Sequence, residues 1–153
     1  MAAGPFTWFN QALIKIANGT INLSTGTNFY AALTLTAQPL TAAFNGTSTN
    51  CQYSDLTSQT ANGNGYTTGG LSLTGETLSR SANVVTWTCD NIAWTITSTG
   101  ITCRYLVIYD NAAVNKDLLC YCDLDPLATG DLTVLAGPLW VTPPGTGVLK
   151  WTA

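Results

Sequence analysis

Ile101-Thr102-Cys103-Arg104-Tyr105-Leu106-Val107-Ile108-Tyr109 is the stretch whose reading decides the fold. Successive side chains of an extended strand point to opposite faces, and here both faces are largely apolar. Such a strand belongs at the centre of a sheet, covered on both sides. Further strand signals flank it at the spacing of sandwiches and barrels: Leu71 to Ser79, Val84 to Asp90, Ile92 to Thr97, Leu118 to Leu124, Asp131 to Leu135 and Gly147 to Thr152. The whole run Ile101 to Asp110 is read as one strand. Upstream, Asn28 to Thr36 places Phe29, Ala31, Leu33 and Leu35 on one face and Tyr30, Ala32, Thr34 and Thr36 on the other. Roughly one residue in six is Thr, whose stiff β-branch favours strands. The fold class that follows is all-β, an antiparallel β-sandwich or distorted barrel, with Trp87, Trp94 and Tyr105 as core anchors.

One helix is expected. Trp8, Phe9, Ala12, Leu13 and Ile16 share one helical face, so a short N-terminal helix spans about 7 to 17, with Thr7 as N-cap and Gly19 near C′. Between Thr41 and Gly70 the composition changes to Asn, Gly, Thr and Ser, with turn pairs at Asn45-Gly46, Asn62-Gly63 and Asn64-Gly65. This long loop region, about 41 to 70, has a short helical turn expected near Tyr53 to Ser58. A loop of that length in a compact domain is usually functional or ordered by a partner. The chain of 153 residues is read as one domain over 1–153.

Composition removes several function classes. Five Lys and Arg against eight Asp and Glu give a net charge of −3, whereas a phosphate backbone requires a basic field; no nucleic-acid partner is expected. The absence of His takes away the commonest general base and metal ligand. No apolar run approaches the roughly 18 residues that span a bilayer, so no membrane partner is expected, and Met1 to Gly19 lack the basic and apolar regions of a signal peptide. No cofactor is implied.

Five Cys stand at 51, 89, 103, 120 and 122. An odd count without an export signal argues against a disulfide framework, although Cys89 with Cys103 could pair in oxidising surroundings. Cys120 and Cys122 share one strand face about 6.6–6.8 Å apart, too far along the backbone to favour a bond. All five are read as small buried hydrophobes, and no zinc site is expected. Among the carboxylates, Asp123-x-Asp125 with Asp131 is the nearest thing to a calcium or glycosidase pattern. It lacks the Gly and terminal Glu of an EF-hand loop, and Asp125 before Pro126 is an ordinary turn initiator. Asn18-Gly19-Thr20, Asn22-Leu23-Ser24 and Asn45-Gly46-Thr47 match the glycosylation triplet but read first as turns.

Several stretches taken together carry a resemblance. Phe6-Thr7-Trp8-Phe9-Asn10, Phe29-Tyr30-Ala31-Ala32-Leu33, Gly65-Tyr66-Thr67-Thr68-Gly69-Gly70-Leu71-Ser72-Leu73, Trp94, Arg104 to Asn111, Asp117 to Leu124 and Gly147-Val148-Leu149-Lys150-Trp151 resemble small structural proteins of tailed-bacteriophage virions, in order over most of the chain. The Cys depart from the mostly aliphatic residues expected there. The resemblance implies a non-enzymatic virion component assembled in the host cytoplasm: a capsid decoration or cement protein bridging subunits of the major capsid protein, or a tail-associated or head–tail component. A carbohydrate-binding β-sandwich is the competing class, and the positions of the Trp residues discriminate. Self-association is expected, with a trimer favoured by the threefold sites of a shell. The expected contact residues are Trp8, Phe9 and Leu13 in the N-terminal segment and Phe44, Tyr53 and Tyr66 in the long loop region, so that deleting residues 1 to 10 would weaken capsid binding and spare the β-fold.

Overall fold

The computed structural model describes residues 4–24, 28–38, 40–44 and 50–152. Twelve strands and one α-helix follow in the order β1 (Thr7–Trp8), α1 (Asn10–Ala17), β2 (Phe29–Thr34), β3 (Leu71–Ser72), β4 (Thr77–Ser81), β5 (Val84–Thr88), β6 (Ile92–Ile96), β7 (Ile101–Cys103), β8 (Tyr105–Asp110), β9 (Leu118–Asp123), β10 (Leu132–Val134), β11 (Gly137–Val141) and β12 (Leu149–Thr152). Strand accounts for 41% and helix for 8%, and no sheet closes into a barrel. The fold is all-β and sandwich-like.

Its frame is a five-stranded antiparallel sheet of order β1-β9-β8-β2-β3. The central strand β8 is apolar on both faces because each face meets a different core. Phe29, Ala31 and Leu33 of β2, Leu106 and Ile108 of β8, and Cys120 and Cys122 of β9 point one way. They pack on Trp87 of β5, Trp94 of β6, Cys103 of β7 and Leu139 of β11, which belong to three smaller ladders: β12-β5-β4, β11-β6 and β10-β7. Trp87 is wholly buried, with Trp8 and Phe29 edge-on at ring-centroid distances of 6.2 and 5.2 Å. Trp94 joins it in the core, while Tyr105 lies half-buried on the opposite face.

Ala32, Val107, Tyr109 and Leu118 form that opposite face. Phe9 and Ala12 at the start of α1, and Leu40, Cys51 and Leu56 from the loop region, cover it. The loop region holds only a 3-10 turn at Tyr53–Asp55 and isolated bridges among its described residues. The apolar side chains of its described residues nevertheless serve the protein's own core.

Four readings differ from the structure, each for a physical reason. Leu71 to Ser79, read as one strand, divides at Gly75 (φ +64°) into β3 beside β2 and β4 beside β5, in different sheets. The helix begins at Asn10 and not at residue 7, because Thr7 and Trp8 pair with Tyr121 and Cys120 as β1. Thr7 is therefore no N-cap; the Asn10 N–H donates instead to the carbonyl of Ala42 at 2.8 Å, satisfying one of the free amides of the first turn. Gly19 follows the C-cap Asn18 with φ +78°, as expected of a helix stop. The long strand divides at Arg104. Its backbone still bridges the five-stranded sheet, with N–H to Thr34 O at 2.7 Å and O accepting from Leu124 N at 3.0 Å, but the residues before it form β7 and pair with β10. Finally, β11 carries Pro138, an edge-strand residue that the sequence reading passed over as a strand position.

Candidate functional site

The six expected contact residues do not form one surface. Phe9 is fully buried, and Tyr66 is 2% exposed with its hydroxyl accepting the Leu33 N–H at 2.9 Å; burial pushes the Tyr66 phenol up to about 12. Both are core residues, which corrects their assignment to a contact surface. Trp8 is half-buried and fixed by its indole N–H, which donates to Val148 O at 3.1 Å. Phe44 lies on Phe9, with ring centroids 5.9 Å apart, and Tyr53 lies on Tyr109 at 4.5 Å. The Tyr53 hydroxyl donates to Gln59 Oε1, and burial raises its pKa above the ordinary tyrosine value. Phe9, Phe44 and Tyr53 thus share the aromatic layer that seals the outer face of the sheet. Leu13 alone is exposed, at 37%. Deleting residues 1 to 10 would remove β1 and the Phe9 ring, so the β-fold would not be spared.

Several carboxylates are occupied in holding backbone or a neighbouring cation. Asp123 receives Arg104 Nη2 at 2.8 Å through Oδ2 and the Asp125 N–H at 2.9 Å through Oδ1, and the turn expected at Asp125 is closed by the Ala128 N–H donating to Asp125 O at 3.1 Å. Asp131 accepts the Thr36 N–H. Asp117 pairs with Lys15 Nζ at 2.6 Å. Asp110 accepts N–H bonds from Ala112 and Ala113, yet desolvation outweighs them and raises its carboxyl pKa. Among the described residues no three His, Cys, Asp or Glu side chains converge on a point that could hold a metal ion.

The five Cys are buried and free. Burial is the largest cause pushing Cys51, Cys89, Cys103 and Cys122 up to about 12, and it raises Cys120 well above the ordinary thiol value. Thiols so raised are poor nucleophiles and poor ligands. Asn18 and Asn22 each accept from the backbone and hydroxyl of the residue two further on, so these triplets are side-chain turns. Asn45-Gly46-Thr47 lies outside the described residues.

The surface that remains is centred on a residue the sequence reading did not single out. On β11, Leu139 and Val141 point inward and Trp140 points outward, 61% exposed. It borders an open cleft of about 620 Å³ with Pro5, Phe6, Trp8, Pro144 and Lys150. Here N-terminal residues, β11 and β12 come together around aromatic and proline surface with a single charge. The period-2 alternation of Gly137–Val141 carried the signal, and Pro138 concealed it.

Comparison with known protein families, curated proteins and solved structures returned no match.

Proposed function

We propose that this chain is a non-enzymatic structural protein of a tailed-bacteriophage virion, a decoration protein that binds the major capsid protein and stabilises the head by bridging its subunits. The observation that carries this reading is Trp140. It stands out from a rigid β-ladder beside an aromatic cleft, on a chain with only 8% charged residues. Large aromatic side chains at the centre of an interface supply most of its binding energy, and few charges keep the desolvation cost of burying the surrounding surface low.

A glycan-binding role is the second reading, because an indole beside an open cleft also suits a sugar ring. Against it, among the described residues the cleft is lined by the polar side chains of Thr142, Thr146 and Lys150 and by indoles, and by no carboxylate or amide that would fix a sugar by paired hydrogen bonds. A head–tail or tail position would use the same face on a different partner. The test is co-sedimentation with phage particles lacking this protein. The intact chain should bind heads saturably and Trp140→Ala should bind at least tenfold more weakly. Binding to tails alone would transfer the role to the tail, and saturable binding to glycans with none to particles would overturn it.

A further inference from the structure

The β12-β5-β4 ladder ends in a strand that the rest of the fold leaves open. All five residues of β4, Thr77-Leu78-Ser79-Arg80-Ser81, are exposed, and β5 is its only partner among the described residues. Of the other edges, β1 and β3 are two residues long, β7 and β10 three and β12 four, β11 carries Pro138, and β6 buries every second residue. Exposed edge strands invite pairing with another chain unless length, Pro or charge prevents it.

The alternation of hydrogen bonds fixes which groups β4 offers. Trp87 O accepts from Val148 N at 2.9 Å, so the polar groups of Trp87 face β12. Its β4 partner Leu78 then sits at a non-hydrogen-bonded position of the β4–β5 ladder. The N–H and C=O of Leu78, and by the same alternation of Arg80, therefore face the free edge. These two side chains share one face of the strand, Glu76 directly precedes it, and Leu78 borders a cleft of about 320 Å³ lined also by Ile16, Ile21 and Trp151.

We propose that β4 is a self-association edge, pairing antiparallel with β4 of a second copy with Leu78 opposite Leu78. Only this register makes every outward-facing group meet a complementary one. It pairs the two Leu78 side chains over the mouths of the two clefts and brings Glu76, just before β4, opposite Arg80 of the second copy twice. A shift of two residues toward the C-terminus sets Leu78 against Arg80, and a shift of four sets Arg80 against Arg80. Glu76 and Arg80 belong to neither ion pair of the described residues, and Arg80 Nε donates to Ala82 O, leaving its terminal nitrogens for the second copy. The contact is isologous and closes at two copies, in place of the trimer expected from the sequence. One strand edge buries less than the roughly 1,200–2,000 Å² of a standard interface, so the pairing is weak in dilute solution and grows with concentration. It does not depend on any capsid partner.

Sedimentation equilibrium of the full chain from micromolar to millimolar concentration tests it. A monomer–dimer equilibrium is expected, weakened at least tenfold by Leu78→Lys with an unchanged circular dichroism spectrum and melting temperature. Glu76→Arg and Arg80→Glu should each weaken it, and the double variant should restore it. Under mild oxidation Leu78→Cys should form an intermolecular disulfide and Ser79→Cys should not. The five native thiols are buried and stay silent. A chain monomeric at millimolar concentration, a dimer indifferent to Leu78→Lys, or equal cross-linking at 78 and 79 would overturn the proposal.

Discussion

Arg104 Nη2 and Asp123 Oδ2 lie 2.8 Å apart at the point where the central strand leaves the five-stranded sheet, with side chains 6% and 26% exposed. The same guanidinium donates to Ala128 O at 2.7 Å and to Gly130 O at 2.8 Å. One side chain thus ties the end of β9 and the following loop to the division between β7 and β8. A buried cation at such a break makes the strand's change of partner definite, since this placement gives both terminal nitrogens their acceptors and leaves only Nε without one.

Replacing Arg104 by Ala should therefore destabilise the fold by about 3 kcal/mol, because it leaves a largely buried carboxylate and two carbonyls without their donor. Arg104→Lys should recover only part of this, since an ammonium lacks the planar fork that reaches three acceptors. Urea unfolding measures both. A loss under about 1 kcal/mol for Arg104→Ala would mean that water replaces the guanidinium without cost.

Gly70, like Gly65 and Gly100, is a position at which any side chain is excluded. Its φ is +79°, and a Cβ there would stand 1.7 Å from Ala31 O. Gly70→Ala combines left-handed strain with a collision against the backbone of β2, and it should cost about 3 kcal/mol or more. Gly19, also at positive φ but with nothing within 4 Å, should lose only about 1 kcal/mol on the same change. Parallel thermal melts of the two variants separate collision from strain.

The buried thiols make the fold alkali-sensitive. Cys51, Cys89, Cys103 and Cys122 rise from 9.0 to about 12, and Tyr66 from 10.0 to about 12. Below pH 9 these groups are neutral in both folded and unfolded chains and stability is flat with respect to them. Between about pH 9 and 12 the unfolded chain gives up protons that the folded chain retains, so stability falls as pH rises. Urea midpoints measured from pH 7 to 11 should be level at first and then decline. In the native protein at pH 8 a thiol reagent should leave all five Cys unmodified, and in urea it should titrate all five.

Removing residues 1 to 10 deletes β1, with its pairing to β9, and the buried ring of Phe9. Loss of a buried Phe alone costs about 3–5 kcal/mol, so the truncated chain should lack a cooperative thermal transition. A truncated chain that melts like the intact one would show that β1 is dispensable.

Much of the fold can be read from periodicity. β2, β5, β6, β8 and β9 each alternate or stay apolar in a way that only a half-buried or fully covered strand explains, and the second core was implicit in Tyr105, Val107 and Tyr109. The division at Arg104 was not legible, because apolar residues continue on both sides and only the loop that supplies its acceptors identifies the break. Trp8 and Phe9 sit at helical spacing from Ala12 although they precede the helix, since a two-residue strand is too short to impose a period. The contact surface was the least legible feature. Aromatic residues near turns, such as Phe9 and Tyr66, look alike in sequence whether they face inward or outward. Burial depends on the long-range placement of strand and loop, and it left Trp140 outside.

Electron microscopy of phage particles with and without this protein tests the central claim most directly. Particles that carry it should show added density on the head, seated over the junctions of capsid subunits with the Trp140 face inward, and that density should vanish from particles that lack it. Identical heads in the two preparations, or density confined to the tail, would contradict a decoration role.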